Sequence, residues 1–137
     1  MSAASIMIVS PAALSSMLNK QDYINAIYQD IDIVRGDTLA FNFELQGLNG
    51  VTPYIVFTCA ETYNDAPIFT SDTTGGDITL EEYDAEKDVA TYSVVVEPAK
   101  TKTMDLARYY YDLELSTDDD VITLMRGRLT LVYGVTN

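Results

Sequence analysis

From residue 30 onward, apolar and polar residues alternate along the chain in a pattern that predicts β-strands. A period of two places successive side chains on opposite faces of a strand, so one face packs in a core while the other meets solvent. The clearest runs are residues 39–45, 54–59, 92–96 and 109–115. Shorter apolar pairs and a long last run bring the prediction to seven or eight strands: Ile31 with Ile33, Ile68 with Phe69, Ile78 with Leu80, and Val121 to Thr136 with a bend at Gly127.

Turn signals separate these runs at the spacing that is typical of a β-sandwich. They are Gly36-Asp37, Leu48-Asn49-Gly50, Gly75-Gly76 and the acidic stretches 84–88 and 118–120. One helical turn, from Ala99 to Asp105, is expected to cross between the two sheets. Strands with one polar face favour antiparallel pairing. The sequence therefore predicts an all-β fold, an Ig-like antiparallel β-sandwich of seven or eight strands.

The beginning of the chain differs from the rest in charge and is predicted to form an N-terminal arm. Residues 1–29 carry one acid and one base, whereas 20 acids and 7 bases follow. Ser10 before Pro11 matches a helix N-cap with proline at the first helical position, which predicts a short helix to about Asn19. A helix this short is not stable alone, so its apolar side chains need a partner surface. We expect the sandwich domain to occupy residues 30–137.

Composition narrows the classes of function. Eight Lys and Arg residues against 21 Asp and Glu residues give a net charge of −13. Such an acidic body repels the phosphates of nucleic acid and an anionic membrane face, so neither is an expected partner. The chain has no His and one cysteine, Cys59, which removes the commonest general base, the commonest metal ligand and any internal disulfide. We expect no enzymatic activity, no cofactor and no metal.

The uncharged start of the chain does not match a targeting signal. No Lys or Arg precedes Lys20, whereas a signal peptide begins with a basic region. The apolar run from Ile6 to Val9 is too short for the apolar core of a signal peptide, and Pro11 with the nearby serines opposes a membrane span. The lone cysteine fits a reducing compartment.

Two short motifs each have a chemical and a structural interpretation. Arg35-Gly36-Asp37 spells the tripeptide that integrins recognise, but a turn with Gly36 at positive φ explains it at least as well. Asp118-Asp119-Asp120 suggests calcium, but a calcium loop spaces its ligands at alternate positions and carries a turn glycine. We expect a solvated hairpin tip there, and the same for the acidic residues between 81 and 88.

Tyr109-Tyr110-Tyr111 is the most informative aromatic run. In a strand, Tyr109 and Tyr111 point into the core while Tyr110 points outward, and exposed aromatic side chains are favoured at surfaces that bind sugars or proteins. Simple packing of the three rings is the competing interpretation. The positive charge of the last third could make a dipolar contact surface, or could pair across strands; its residues are Lys100, Lys102, Arg108, Arg126 and Arg128.

The C-terminal half resembles a group of small virion proteins of tailed bacteriophages, and the resemblance covers about residues 30–137. The shared pattern is a strand, a Pro…Thr turn, a Tyr-rich strand, a charged hairpin and a Thr-Leu…Gly strand ending in Val-Thr. In this chain the pattern stands as Pro98, Thr101, Tyr109 to Leu115, Asp118 to Asp120, Thr123-Leu124, Gly127 and Val135-Thr136. The start at Arg35-Gly36-Asp37-Thr38 and the following Phe-rich strand resemble the same domains, which are similar to the N-terminal β-sandwich of baseplate upper proteins of lactococcal phages.

The resemblance implies a structural protein of the virion without catalytic activity, assembled in the host cytoplasm. The expected function is that of an auxiliary capsid or decoration protein, with a tail, neck or baseplate adaptor as one alternative. A carbohydrate-binding module that uses Tyr110 is the alternative from another class. In the virion role, the expected partners of this protein are other capsid or tail subunits and further copies of itself. The arm is expected to dock onto neighbouring subunits through Ile6, Met7, Ile8, Val9, Leu14, Met17 and Leu18.

Overall fold

The structure, a computed structural model, describes Ala4–Ser5, residues 27–118 and residues 121–134. Its strands in chain order are β1 (Ala4–Ser5), β2 (Ile27–Tyr28), β3 (Ile31–Val34), β4 (Leu39–Gln46), β5 (Tyr54–Ala60), β6 (Phe69–Asp72), β7 (Ile78–Asp84), β8 (Val89–Val96), β9 (Arg108–Ser116) and β10 (Val121–Val132). A single helical turn, α1 (Pro98–Thr101), lies between β8 and β9. The strands from β3 to β10 number eight, which confirms the predicted sandwich of seven or eight strands.

The strands form two sheets. The four-stranded sheet has the order β1-β4-β8-β7, and the six-stranded sheet has the order β2-β10-β9-β5-β6 with β3 also paired to β10. The long pairs are antiparallel, as predicted, but β1 on β4 and both β2 and β3 on β10 are parallel. The purely antiparallel prediction was wrong at these edges because alternation within a two- to four-residue strand carries no information about its direction.

The apolar positions of the long strands meet between the two sheets. Phe57 of β5 lies at the centre: its ring centroid is 5.1 Å from that of Tyr111, and 6.2 Å from those of Phe41 and Phe69. Tyr111 and Phe57 are almost fully buried. Aromatic pairs contribute about 0.5–1.5 kcal/mol beyond the burial of their area. The alternation in β4, β5, β8 and β9 is thus the direct cause of the core.

The crossing between the sheets is shorter than predicted. The helical turn covers Pro98–Thr101 instead of Ala99 to Asp105. It begins one residue earlier than predicted because proline is well suited to the first helical position. Lys100 holds this turn in place. Its Nζ donates to Ser71 Oγ at 3.0 Å and to the Thr70 carbonyl, and it forms an ion pair with Asp77 at 3.0 Å.

The Arg35-Gly36-Asp37 segment is a structural turn. Gly36 has φ of 87°, and the Asp37 N–H donates to the Val34 carbonyl at 2.9 Å. The Gly36 N–H donates to Thr101 Oγ1 at 3.2 Å, and Arg35 donates to the Met104 carbonyl at 3.2 Å. All three residues of the tripeptide are half-buried, so it is held against the end of the sandwich.

Gly127 is the point at which the incoming chain crosses the last strand. The sequence predicted a bend there, but β10 is continuous and its irregularity lies between Thr123 and Met125. A β-carbon at residue 127 would stand 2.7 Å from the carbonyl carbon of Gln29 and closer still to its oxygen. The glycine is therefore required by a close approach of backbone to backbone, and not by a bend.

Hydrogen bonds complete this crossing. The Gln29 N–H donates to the Arg126 carbonyl at 2.9 Å, and the Arg128 N–H donates to Asp30 Oδ1 at 3.0 Å. The hydroxyl of buried Tyr111 donates to the Gln29 carbonyl. Strand β10 thus pairs first with β2 and then with β3, and main-chain hydrogen bonds continue where the partner changes.

Several predicted features lie outside the described residues. They are the helix from Pro11 to about Asn19, the arm residues Ile6, Met7, Ile8, Val9, Leu14, Met17 and Leu18, and Asp119 with Asp120. The connection at Asp118 does join the antiparallel strands β9 and β10, as expected for a hairpin.

Replacing Gly127 with Ala should destabilise the protein by about 2–3 kcal/mol, because the backbone of Gln29 must move away. The midpoint and slope of urea unfolding measure this loss. Gly75→Ala is the matched control, since its β-carbon would meet only the end of a side chain, Asp72 Oδ1 at 3.1 Å, and no backbone; it should cost less than about 1 kcal/mol. Equal losses in the two variants would contradict the crossing at Gly127.

Replacing Tyr111 with Phe should cost about 1 kcal/mol, because the Gln29 carbonyl loses a buried donor. The ring stays in the core, so the loss isolates the hydroxyl. Tyr109→Phe is the control: its hydroxyl donates to the Asp105 carbonyl at 2.9 Å in a part-buried loop and should matter less. A Tyr111→Phe protein as stable as the parent in urea would show that this bond contributes nothing.

Candidate functional site

The outer face of the six-stranded sheet collects polar side chains from its central strands. On β9, Tyr109 and Tyr111 are buried while Tyr110, Asp112 and Glu114 face outward and are half-buried. This confirms the predicted orientation of the tyrosine run. Across to β10, Tyr110 lies opposite Arg128, Asp112 opposite Arg126 and Glu114 opposite Thr123. The register thus forms rows of acidic, basic and hydroxyl side chains.

Tyr63, in the connection between β5 and β6, covers part of this face. Its hydroxyl donates to the Gly127 carbonyl at 3.2 Å. Its ring centroid is 4.7 Å from that of Tyr110, and the Arg126 guanidinium carbon stands 4.4 Å over the same centroid. A guanidinium over an aromatic ring contributes about 0.5–1 kcal/mol at an exposed site. The connection is therefore anchored onto the sheet by one aromatic side chain.

A depression of about 170 Å³ results beside this anchor. Its lining consists of Tyr63, Asp112, Thr123 and Arg126. Tyr63 is 42% exposed, so its ring forms an open wall, while Asp112 and Thr123 form the floor. We call this depression, with its four lining residues, the β9–β10 pocket.

Electrostatics in the pocket is set by burial. Burial raises the pKa of Asp112, and the nearby charge of Arg126 lowers it in part. Burial also raises the pKa of Glu114, with a further contribution from the negative charge of Asp112. These two carboxylates are consequently less well solvated than ordinary surface acids.

Other titratable groups serve the fold. Hydrogen bonds from the Tyr54 hydroxyl at 2.7 Å and the Gly75 N–H at 2.6 Å lower the pKa of Asp72. Burial raises the pKa of Cys59 to about 12, so the thiol stays protonated at neutral pH and is not a nucleophile.

A second depression, of about 120 Å³, lies at the other sheet and is lined mainly by apolar groups. Leu80 and Tyr83 of the edge strand β7 form its exposed side, at 53% and 41% exposure. The Tyr83 hydroxyl donates to Asp88 Oδ1 at 2.8 Å, which fixes the ring at the turn. The acidic strand β7 also has a register shift between Leu80 and Glu82, and charges and bulges of this kind protect a sheet edge.

The predicted site residues have different outcomes. Tyr110 does face outward, but it is half-buried and supports the ring of Tyr63 instead of standing free. The arm residues lie outside the described part of the chain. Among the basic residues, Lys100 pairs with Asp77 and Arg126 lies opposite Asp112, so these two have acidic neighbours within the chain.

Sequence analysis did not single out Tyr63, Asp112 or Thr123. Alternation does place Asp112 on the same face as Tyr110, so its outward position could have been predicted from the sequence. The bulge between Thr123 and Met125 sets which β10 residues lie opposite it, and the turn signals around Tyr63 do not tell which way the connection folds.

Within the described residues, no group of three or more His, Cys, Asp or Glu side chains is arranged to hold a metal ion. No helix in the same part of the chain is long and apolar enough to cross a membrane.

No protein-family model matches this sequence, and no curated protein matches it. Among solved structures, a family 123 glycoside hydrolase from Clostridium perfringens, described for the hydrolysis of glycolipid glycans, is similar with a TM-score of 0.49 and 11% sequence identity. The match covers 86% of this chain and 25% of that enzyme. The chain thus spans a quarter of the length of the protein it matches.

Replacing Asp112 with Asn should stabilise the protein at neutral pH. A raised pKa means that the folded state binds the proton more tightly than the unfolded state, so stability falls as pH rises through the interval above the ordinary pKa of 3.8. The gain from Asn should therefore be present at pH about 7 and vanish at about pH 3, where the carboxyl is neutral. Urea unfolding at the two pH values measures it.

Asp72→Asn is the control with the opposite sign. The lowered pKa of Asp72 means that its charged form stabilises the fold, and that this contribution is lost as pH falls through the folded pKa. The Asn variant should therefore be less stable than the parent at neutral pH and approach it in acid. A loss of stability at neutral pH in Asp112→Asn would contradict the assignment of burial as the dominant effect.

Proposed function

We propose that this protein is a non-enzymatic structural component of a tailed-phage virion, an auxiliary capsid or decoration protein that docks through its N-terminal arm. The assignment to a virion rests on the resemblance of residues 30–137 to small virion proteins. A tail, neck or baseplate adaptor that uses the same sandwich is the alternative placement.

One observation carries the docking role: both sheets take an edge strand from the arm. Ala4 and Ser5 lie opposite Phe41 and Asn42 of β4, and Ile27 and Tyr28 lie opposite Met125 and Arg126 of β10. Adding a strand to a sheet edge joins segments through main-chain hydrogen bonds and is a common mode of attachment between chains. These pairings lie within one chain, and the same pairing made to β4 or β10 of a neighbouring copy would link subunits.

The division of charge supports the same role. The body carries the whole net charge of −13, whereas residues 1–19 are uncharged. Charged surface favours solvent, and apolar side chains favour a protein contact. In this proposal the body faces outward, and the apolar arm residues named in the sequence analysis contact neighbouring subunits of the capsid, including further copies of this chain.

Deleting residues 1–25 should abolish incorporation into particles; it removes the two-residue edge strand β1 and leaves β2 to β10 in place. Quantitative mass spectrometry of gradient-purified particles, from cells that supply either form of the protein, measures the copies per particle. We expect a fixed stoichiometry for the full chain and at least about a tenfold loss for the deletion, since a docking surface with few anchors depends on each of them.

A second variant separates docking from folding. Ile6→Asp combined with Ile8→Asp keeps the full length but places charge in the apolar run, and it should also lower incorporation. Far-UV circular dichroism and urea unfolding show whether each variant retains the sandwich. Unchanged incorporation of both folded variants would overturn the role of the arm, and recovery of the chain in separated tails instead of heads would favour the adaptor.

A further inference from the structure

We propose that the β9–β10 pocket binds a single neutral saccharide ring. This site goes beyond the structural role above and does not depend on assembly into a virion. It is formed by Asp112, Thr123, Arg126 and Tyr63, of which Arg126 alone was considered as a contact residue from the sequence.

The polar groups that line the β9–β10 pocket have unused hydrogen-bonding capacity. No hydrogen bond from a described residue reaches the Asp112 carboxylate, the Thr123 hydroxyl or the Arg126 guanidinium, although Asp112 and Thr123 are half-buried. Polar groups that converge on a depression and are not satisfied by the protein are the usual sign of a ligand site.

The hydrogen-bonding character of these groups determines which ligand can contact all of them. An ionised carboxylate only accepts hydrogen bonds, a guanidinium only donates them, and a hydroxyl does both. An anion would face Asp112, and a cation would face Arg126, so neither charge is favoured overall. Neighbouring hydroxyls of a sugar donate to one group and accept from the other, which matches a neutral polyhydroxylated ring.

The wall and the volume of the pocket limit the size of the ligand. The exposed part of the Tyr63 ring closes one side of the pocket, and the Arg126 guanidinium over its centroid, the ring of Tyr110 and the hydrogen bond to the Gly127 carbonyl hold it in place. The volume of about 170 Å³ is smaller than pockets for drug-sized ligands. The pocket therefore has space for one ring at most, and the affinity is expected in the millimolar range.

The test is a titration of the full chain, followed by ¹H–¹⁵N correlation NMR, with the methyl glycosides of glucose, galactose, mannose and N-acetylglucosamine. At least one glycoside should shift the amide signals of Asp112, Thr123 and Arg126 in a saturable way. Inorganic phosphate and methylammonium serve as the charged probes and should shift them less.

Variants identify the groups that bind. Thr123→Val keeps the shape of the side chain and removes its hydroxyl, and Asp112→Asn removes the charge; each should weaken binding by at least about fivefold. Thr130→Val is the matched control, because Thr130 lies on the same strand but outside the pocket, and its affinity should equal that of the parent.

Three results would overturn the proposal. The first is the absence of saturable shifts with all four glycosides. The second is a stronger response to phosphate or methylammonium than to any glycoside. The third is equal affinity in Thr123→Val and Thr130→Val. Particle incorporation is measured separately, so failure of this site and failure of the virion role are distinguishable.

Discussion

The close approach of Gln29 to Gly127 is the contact on which the rest of this structure depends. Because residue 127 has no side chain, the Gln29 carbonyl enters the space beside β10 and accepts a hydrogen bond from buried Tyr111. An unpaired hydroxyl at this depth would cost about 1–3 kcal/mol. The Tyr111 hydroxyl and the Gln29 carbonyl thus satisfy each other's hydrogen-bonding capacity. On either side of this contact, the edge of β10 pairs with β2 and with β3.

The strands follow from sequence because each long run has a single solution for its buried face. In β9, shifting the pattern by one residue would bury Asp112 and expose Leu113, so alternation fixes which side packs on Phe57. The turns at Gly36 and Asn49-Gly50 were also predictable, since their positive φ angles need residues that tolerate them. Local chemistry therefore determines the elements and most of their boundaries.

The edges and the site follow from non-local geometry, which alternation does not encode. The parallel pairing of β3 with β10 joins residues about a hundred positions apart, and a bulge near Leu124 resets which side chains of β10 lie opposite Asp112. Gly127 was predicted to mark a bend, because a glycine within a strand can indicate a bend, a bulge or the close approach of another backbone. Tyr63 escaped notice because the fold of a connecting loop depends on the sheet beneath it.

Gly127 also links the arm to the outer face. The space beside its α-carbon is occupied by the Gln29 carbonyl. The Gly127 carbonyl accepts a hydrogen bond from the Tyr63 hydroxyl, which anchors the wall of the β9–β10 pocket. Both contacts are made at one backbone position of β10, whose main-chain bonds also join it to the neighbouring strands. A displacement of β2 that moves β10 at Gly127 would therefore move Tyr63 as well. The arm and the pocket thus rest on opposite sides of one backbone position.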